Sequence, residues 1–417
     1  MLHVVFAVPF AMENTLRFAR AAAALPGVRL SVVTQDAPEK FPADFRRLLA
    51  GMERVKDALV PELLCAGVEA LGRSVGPVDR LLGILEPLQE PLALVRERLH
   101  IRGMDAQTAR NFRDKSRMKD LFAAHDLPCA RHQLCGSLQD ALAFAQKVGY
   151  PLVGKPPAGA GAKATQRCED EAGLRSFLAQ VRPARDREVL LEEFVQGREF
   201  SFDSITLHGQ HVFHNISSYH PTPLQVMENP WIQWCVVLPR ELAEPEFRDI
   251  QRIGPRALST LGMWTGMSHM EWFRRHDGSI AIGEVAARPP GAQFMTLMSY
   301  AHDVDMYAAF AQLMVFETFT PPVRRFACGA AYLRGQVHGA GRTGMGKVTA
   351  VHGYEEIRRS LGELIVEAKL PTLGQPAASS YEGEGFIIVR HPDTKVVTAA
   401  VQHIIQNLRV ELGADQN

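Results

Sequence analysis

The sequence predicts a multidomain protein of mixed α/β and α+β class, on three observations. The chain has 417 residues, too many for one small core. It opens with a strand–helix–strand pattern, the start of an open α/β sheet. A Pro321-Pro322 pair reads as a linker before a smaller C-terminal unit of mixed helix and strand.

The elements follow in order. Val4 to Val8 is a buried run, Asn14 to Ala24 is alanine-rich and helical, and Arg29 to Thr34 is β-branched. The turn after the first strand is Pro-Phe-Ala-Met, so the GxGxxG dinucleotide fingerprint is missing there. Helical stretches are expected over about Pro87 to Leu99 and Ala106 to His125. Ser137 followed by Asp140 three positions later is a helix-start signature, and that helix stops at Gly149. A strand at Pro151 to Lys155, a helix at Glu171 to Val181 and a strand at Glu188 to Val195 come next. Strands and helices alternate from there to about Phe319. In the last unit, strands are expected near Ala330–Val337 and Gly385–Val389, before an amphipathic helix at Val397 to Leu408.

Composition excludes several classes. Lys plus Arg and Asp plus Glu both number 46, so overall charge offers no attraction to nucleic acid or an anionic membrane. No stretch approaches the roughly 20 apolar residues of a membrane span. The apolar opening MLHVVFAVPFA lacks a basic leader and reads as a buried strand, not a signal peptide. Six scattered cysteines (Cys65, Cys129, Cys135, Cys168, Cys235, Cys328) show no zinc spacing and read as free thiols in a reducing cytoplasm.

The most informative pair is Glu271 and Glu284, on either side of an Asp277-Gly278 turn signal. A two-residue hairpin there would pair His276 with Ser279, Arg274 with Ala281, Trp272 with Gly283 and Glu271 with Glu284. Opposed carboxylates repel and call for a compensating charge, which a hard divalent cation supplies. The strand period of two then carries Glu284, Ala286 and Arg288 on one face. A one-residue register slip would separate the acids, leaving an ordinary solvent-facing pair.

Three further groups precede this hairpin. Lys155 ends a buried strand before PPAGAGAKAT, where Gly159 and Gly161 allow backbone N–H groups to close over an anion. Arg113-Asp114-Lys115 is a charge cluster on the preceding helical run. LLEEFVQGREFS (190–201) leaves a buried strand through a glycine turn, exposing backbone groups at Glu192, Glu193 and Val195, with Glu199 just beyond. One motif is a decoy. Gly341 to Lys347 satisfies GxxxxGK, but Val348 stands where a P-loop needs Ser or Thr, and a strand-like pattern follows.

The order Lys, Lys, Glu-rich hinge, Glu, Glu-x-x-x-Arg resembles the ATP-grasp superfamily over roughly residues 106 to 320. The resemblance implies three units: an N-terminal α/β domain (1–105), a two-lobed ATP-grasp domain (106–320, lobes about 106–195 and 196–320), and a small C-terminal α+β domain (321–417). It implies that Lys115 and Lys155 contact phosphate and that Gly159 to Thr165 covers it. Glu192, Glu193 and Val195 are similar to the adenine-contacting hinge, and Glu199 to the ribose-binding acid. Glu271 and Glu284 resemble the Mg²⁺ ligands (Mn²⁺ serving in its place), and Arg288 the arginine that steadies the reacting acyl phosphate. Many members carry Glu-x-Asn-x-Arg, with the Asn as a further metal ligand, where this chain has Ala286 in GEVAARPPG. The Glu-x-Ala-Ala-Arg form, the segment from Ile84 to Lys119 and HPDTKVVTAAVQ (391–402) are similar to the L-amino acid ligase and carnosine-synthase branch.

The activity implied is ATP-dependent ligation of a small carboxylate to an amine, with ATP and Mg²⁺ required and a homodimer common among relatives. The alternatives are a biotin-carboxylase-like or purine-pathway enzyme phosphorylating bicarbonate or formate, or an ATP-binding module without turnover. The Pro-rich aromatic stretch from His214 to Trp234, with Tyr219, His220 and Trp231, is a candidate substrate wall or a packed surface flap.

Overall fold

The computed structural model describes residues 1–157, 165–229, 232–337, 346–378, 380 and 382–413. At the N-terminus, strands Leu2–Ala7, Val28–Thr34, Leu49–Arg54 and Arg80–Leu82 form a parallel sheet in which Leu2–Ala7 lies between Val28–Thr34 and Arg80–Leu82. A parallel strand covered on both faces reads as an unbroken apolar run, and residues 3–7 are all fully buried. Alternate residues serve different cores. Val4 and Phe6 pack with Phe18 and the helix Met306–Phe316, whereas Val5 and Ala7 pack with Leu64 and Leu92.

A four-stranded antiparallel sheet follows, ordered His132–Cys135, Val189–Glu193, Leu152–Lys155, Gln166–Cys168. Its two helices have capped starts: Ser137 accepts from the amide of Asp140 and Asp170 from that of Gly173. Gly154 is required under the second helix, since a Cβ there would lie 2.2 Å from the Phe177 ring.

The largest sheet has eight antiparallel strands, ordered Ile280–Ala286, Gly266–Arg275, Gly197–Leu207, Gln210–His220, Trp234–Leu238, Ala327–Leu333, Gly385–His391, Ile365–Lys369. It runs without a break through Pro321-Pro322. Trp234 stacks on Tyr332 at 4.3 Å between ring centroids, across the strands that meet there. The helix Thr394–Asn407 covers the far end. No helix among the described residues is long and apolar enough to cross a membrane.

The helical run expected from Ala106 to His125 is broken. Ala106–Arg113 and Lys115–Ala124 are separate helices, because Asp114 leaves the helical region (ψ 108°) and caps the second one, accepting from Ser116 and Arg117. The break makes Lys115 the first residue of the new helix, where its amide donates to Pro157 O at 2.9 Å. Beyond the second helix, Cys129 bridges to Ile282 of the acidic hairpin.

Candidate functional site

The acidic hairpin reaches its expected end by a different route. Its loop has three residues, not two: the Arg275 amide donates to Ser279 O (2.8 Å) and Gly278 adopts φ +84°. The pairs nearest the turn are therefore Arg274 with Ile280, Phe273 with Ala281 and Trp272 with Ile282, each one residue off the expected register. An irregularity between Glu271 and Trp272 then absorbs Gly283, and Glu271 faces Glu284 after all. The bulge also decides which way Glu284 points. Ile280 and Ile282 pack in the core with Met270 and Trp272, and unbroken alternation would send residue 284 there too. The extra residue gives that place to Val285 and turns Glu284 to the other face.

That face borders a cavity of about 550 Å³ between the four-stranded and eight-stranded sheets, lined by Lys115, Lys155, Glu199, Glu271, Glu284 and Arg288 among others. The hinge residues Glu192, Glu193 and Val195 line it too, as does Ala286. Gly159 and Gly161 lie outside the described residues, and of that loop only Pro156, Pro157 and Thr165 onward are described. Trp231 and most of the GxxxxGK decoy lie outside as well. Lys347 starts the strand Lys347–His352 in the C-terminal sheet.

Charges in the cavity are paired in a definite way. Lys115 Nζ donates to Glu284 at 2.7 Å. Glu192 is buried between Lys155 (2.9 Å) and Lys119 (3.4 Å). Burial alone would raise its pKa, but the two ammonium groups outweigh that and hold it below the usual carboxylate range. Burial also disfavours the charge on Lys155, yet Glu192 and the hairpin acids leave its pKa raised. Glu193 pairs with Arg275 (2.6 Å) and Arg131 (2.5 Å), so both hinge carboxylates are engaged and the hinge has only its backbone and Val195 to offer a ring edge.

On the strand carrying Glu271, His269 donates through Nδ1 to the buried Asp203 at 2.5 Å, and its Nε2 lies 3.8 Å from Glu271. Burial works against a charged imidazole, but Asp203 and Glu271 outweigh it and lift the His269 pKa to about 9. Glu199 is buried nearby; burial and the charge of Glu271 push its pKa well above the normal value. Arg288 donates through Nε to Glu86 at 2.7 Å, which ties the cavity to the N-terminal unit. Tyr219, Trp234 and Phe294 close one end, Tyr219 lying 6.2 Å from Trp234 and 6.0 Å from Phe294 between centroids.

Lys119, His269 and Asp203 were not singled out from sequence. Two had a signal. Lys119 lies four residues after Lys115, one helical turn on, and His269 lies two before Glu271, on the same strand face.

The donor set fits Mg²⁺ held together with a nucleotide. Two carboxylates meet in register on one wall with lysines opposite, and magnesium typically takes one or two carboxylates and completes its shell with water and phosphate oxygens. Among the described residues no group of three or more His, Cys, Asp and Glu forms a self-sufficient metal cage. Ala286 pairs with His269 across the hairpin and supplies no oxygen from its side chain.

Residues 120–302 match the model of the ATP-grasp domain. The chain is 23% identical over 248 residues to the L-arginine-specific L-amino acid ligase of Bacillus subtilis, a match covering 58% of this chain and 59% of that protein, so less than two thirds of the relative's length is spanned. The crystal structure of L-amino acid ligase from Bacillus licheniformis superposes with a TM-score of 0.78 at 18% identity, covering 100% of this chain and 99% of the other. Biotin carboxylase from Campylobacter jejuni gives a TM-score of 0.71 at 13% identity over 98% and 92% of the two chains. Residues 120–302 are therefore similar to the ATP-grasp domain, and the chain shares the fold of an L-amino acid ligase over its described length.

Proposed function

We propose that this protein is an ATP-dependent carboxylate–amine ligase of the amino-acid or dipeptide type, working through an acyl phosphate. The observation that carries this reading is the Glu271–Glu284 pair, in register beside Lys115, Lys155 and Arg288 on one cavity. In this reading a substrate carboxylate attacks the γ-phosphorus of ATP, ADP leaves, and an amine then attacks the acyl carbon as phosphate departs.

Lys115 and Lys155 hold the phosphates, the latter kept charged by Glu192. Glu271 and Glu284 would hold Mg²⁺, which would supply positive charge against the phosphates. Arg288, fixed by Glu86, stabilises the oxyanion formed when the amine adds. The Val195 hinge receives the adenine and Glu199 faces the ribose; the phosphate role expected of Gly159 and Gly161 falls outside the described residues. The three-unit division at about residues 105 and 320, a homodimer and a cytoplasmic setting belong to the same proposal.

The test is an ADP-release screen over pairs of amino acids and small acids, with mass analysis of products. Release that requires both an acid and an amine, with a condensed product, supports ligation. Stimulation by bicarbonate alone moves the protein to the carboxylase-like alternative, and ATP binding without hydrolysis over the whole panel makes it a binding module.

A further inference from the structure

A second cavity, of about 230 Å³, lies where the strand Arg80–Leu82 meets the helices Ala106–Arg113 and Met306–Phe316. Arg288 lines both cavities. The wall of the second holds four arginines, Arg80, Arg96, Arg102 and Arg288, against two carboxylates, Asp105 and Glu317. Both acids are already engaged. Glu317 takes Arg102 at 2.6 Å, Arg80 at 3.8 Å and His208 at 2.8 Å, and Asp105 accepts from the amide and hydroxyl of Thr108.

Arg96 is the unusual member. It is 7% exposed, and its Nε and one terminal nitrogen both donate to a single acceptor, Leu81 O (3.0 and 2.7 Å). Among the described residues no carboxylate forms an ion pair with it, and burial alone depresses its pKa to about 10. Gly103 folds tightly over it, since a Cβ there would lie 2.7 Å from Arg96 Cδ. A buried cation with no counter-charge is costly unless something supplies one. The remaining wall includes Met267, Phe310 and Met314. A cationic end and an apolar flank in one small cavity suit an amphiphilic acid.

We propose that this cavity binds a small carboxylate with a short apolar tail, its carboxylate countering Arg96 and its tail lying against Met267, Phe310 and Met314. The site is independent of the ligation reading. Simple acids and free amino acids share the required chemistry, so the probes separate them. The full-length protein, saturated with ADP to fill the first cavity, is titrated calorimetrically with 4-methylpentanoate, L-leucine and 4-methylpentanamide. Binding of 4-methylpentanoate, L-leucine or both, without the amide, supports the site and says which source it prefers. Arg96→Gln and the cavity-filling Met314→Trp should each weaken that binding at least tenfold. Met314 is only partly buried, so its variant decides the matter if Arg96→Gln does not fold. The proposal is overturned if the amide binds as well as the acids, if neither acid binds at millimolar concentration, if ADP displaces them, or if a folded variant binds as the parent does.

Discussion

Lys119 donates through Nζ to the carbonyl of Gly283 at 2.8 Å, and Gly283 is the bulged residue that turns Glu284 away from the core and opposite Glu271. A fully buried lysine on one helix thus holds the irregularity on which the acidic pair depends, while also meeting Glu192. Lys119→Met should cost about 2 kcal/mol, less than breaking an isolated buried pair because Glu192 keeps Lys155. Urea denaturation measures this, and an unchanged midpoint would show that the lysine does not support the bulge.

Removing Gly283 should spare the pairing of the acids. The deletion takes out the bulged residue, so Glu284 follows Ile282 directly, keeps the cavity face opposite Glu271 and leaves Val285 in the core. Mg-ADP should then still raise the melting temperature of the deletion variant. Loss of that shift in a folded variant would mean that the bulge itself, and not only the register, places Glu284.

Glu284→Gln should lower Mg²⁺-dependent ADP release at least about 100-fold, with a melting temperature within a few degrees of the parent, since the residue is not part of the core. Arg288→Ala should leave ATP binding nearly intact and abolish product. Equal loss of binding and product would reassign Arg288 to the nucleotide. Lys347→Ala, in the decoy motif, should alter neither.

Acid should destabilise the fold through three histidines that do not line the first cavity. Burial pushes His211, His214 and His302 each down to about 4 from the usual 6.5. Between pH 6.5 and 4 the unfolded chain therefore binds more protons than the folded one, and stability falls as pH is lowered through that window. At pH 5.5 the loss is about 1 kcal/mol per histidine. His269, whose raised pKa adds stability as pH falls toward 6.5, offsets part of this slope. Melting temperatures from pH 8 to 5 should show the net fall, and His302→Gln should flatten it; a His302→Gln curve as steep as the parent's would contradict the burial of that ring.

The regular elements were legible because local signals agree with the final packing: the capped helix at Leu138–Val148, the helix at Glu171–Val181, and the buried runs of the first sheet. The face-to-face placement of Glu271 and Glu284 was legible too, but through a hairpin register that is wrong near the turn. Nothing in Asp277-Gly278 alone tells a two-residue loop from a three-residue one, and the compensating bulge depends on Lys119, 164 positions away. The break at Asp114 was hidden for a related reason. An aspartate is tolerated within a helix, and only the contact of Lys115 with Pro157 fixes it as a cap. Asp203 and Arg96 gave no pattern at all, because their significance lies in which partner is near or missing.

The uninterrupted eight-stranded sheet bears on any attempt to dissect this protein. A chain cut after Phe319 would strip Ala327–Leu333 from its neighbour Trp234–Leu238, a strand whose five residues are all buried in the whole molecule. The fragment would carry a naked, greasy β-edge of the kind that recruits other chains into precipitates. Isolated central domains made at that boundary should therefore come out of expression as inclusion bodies.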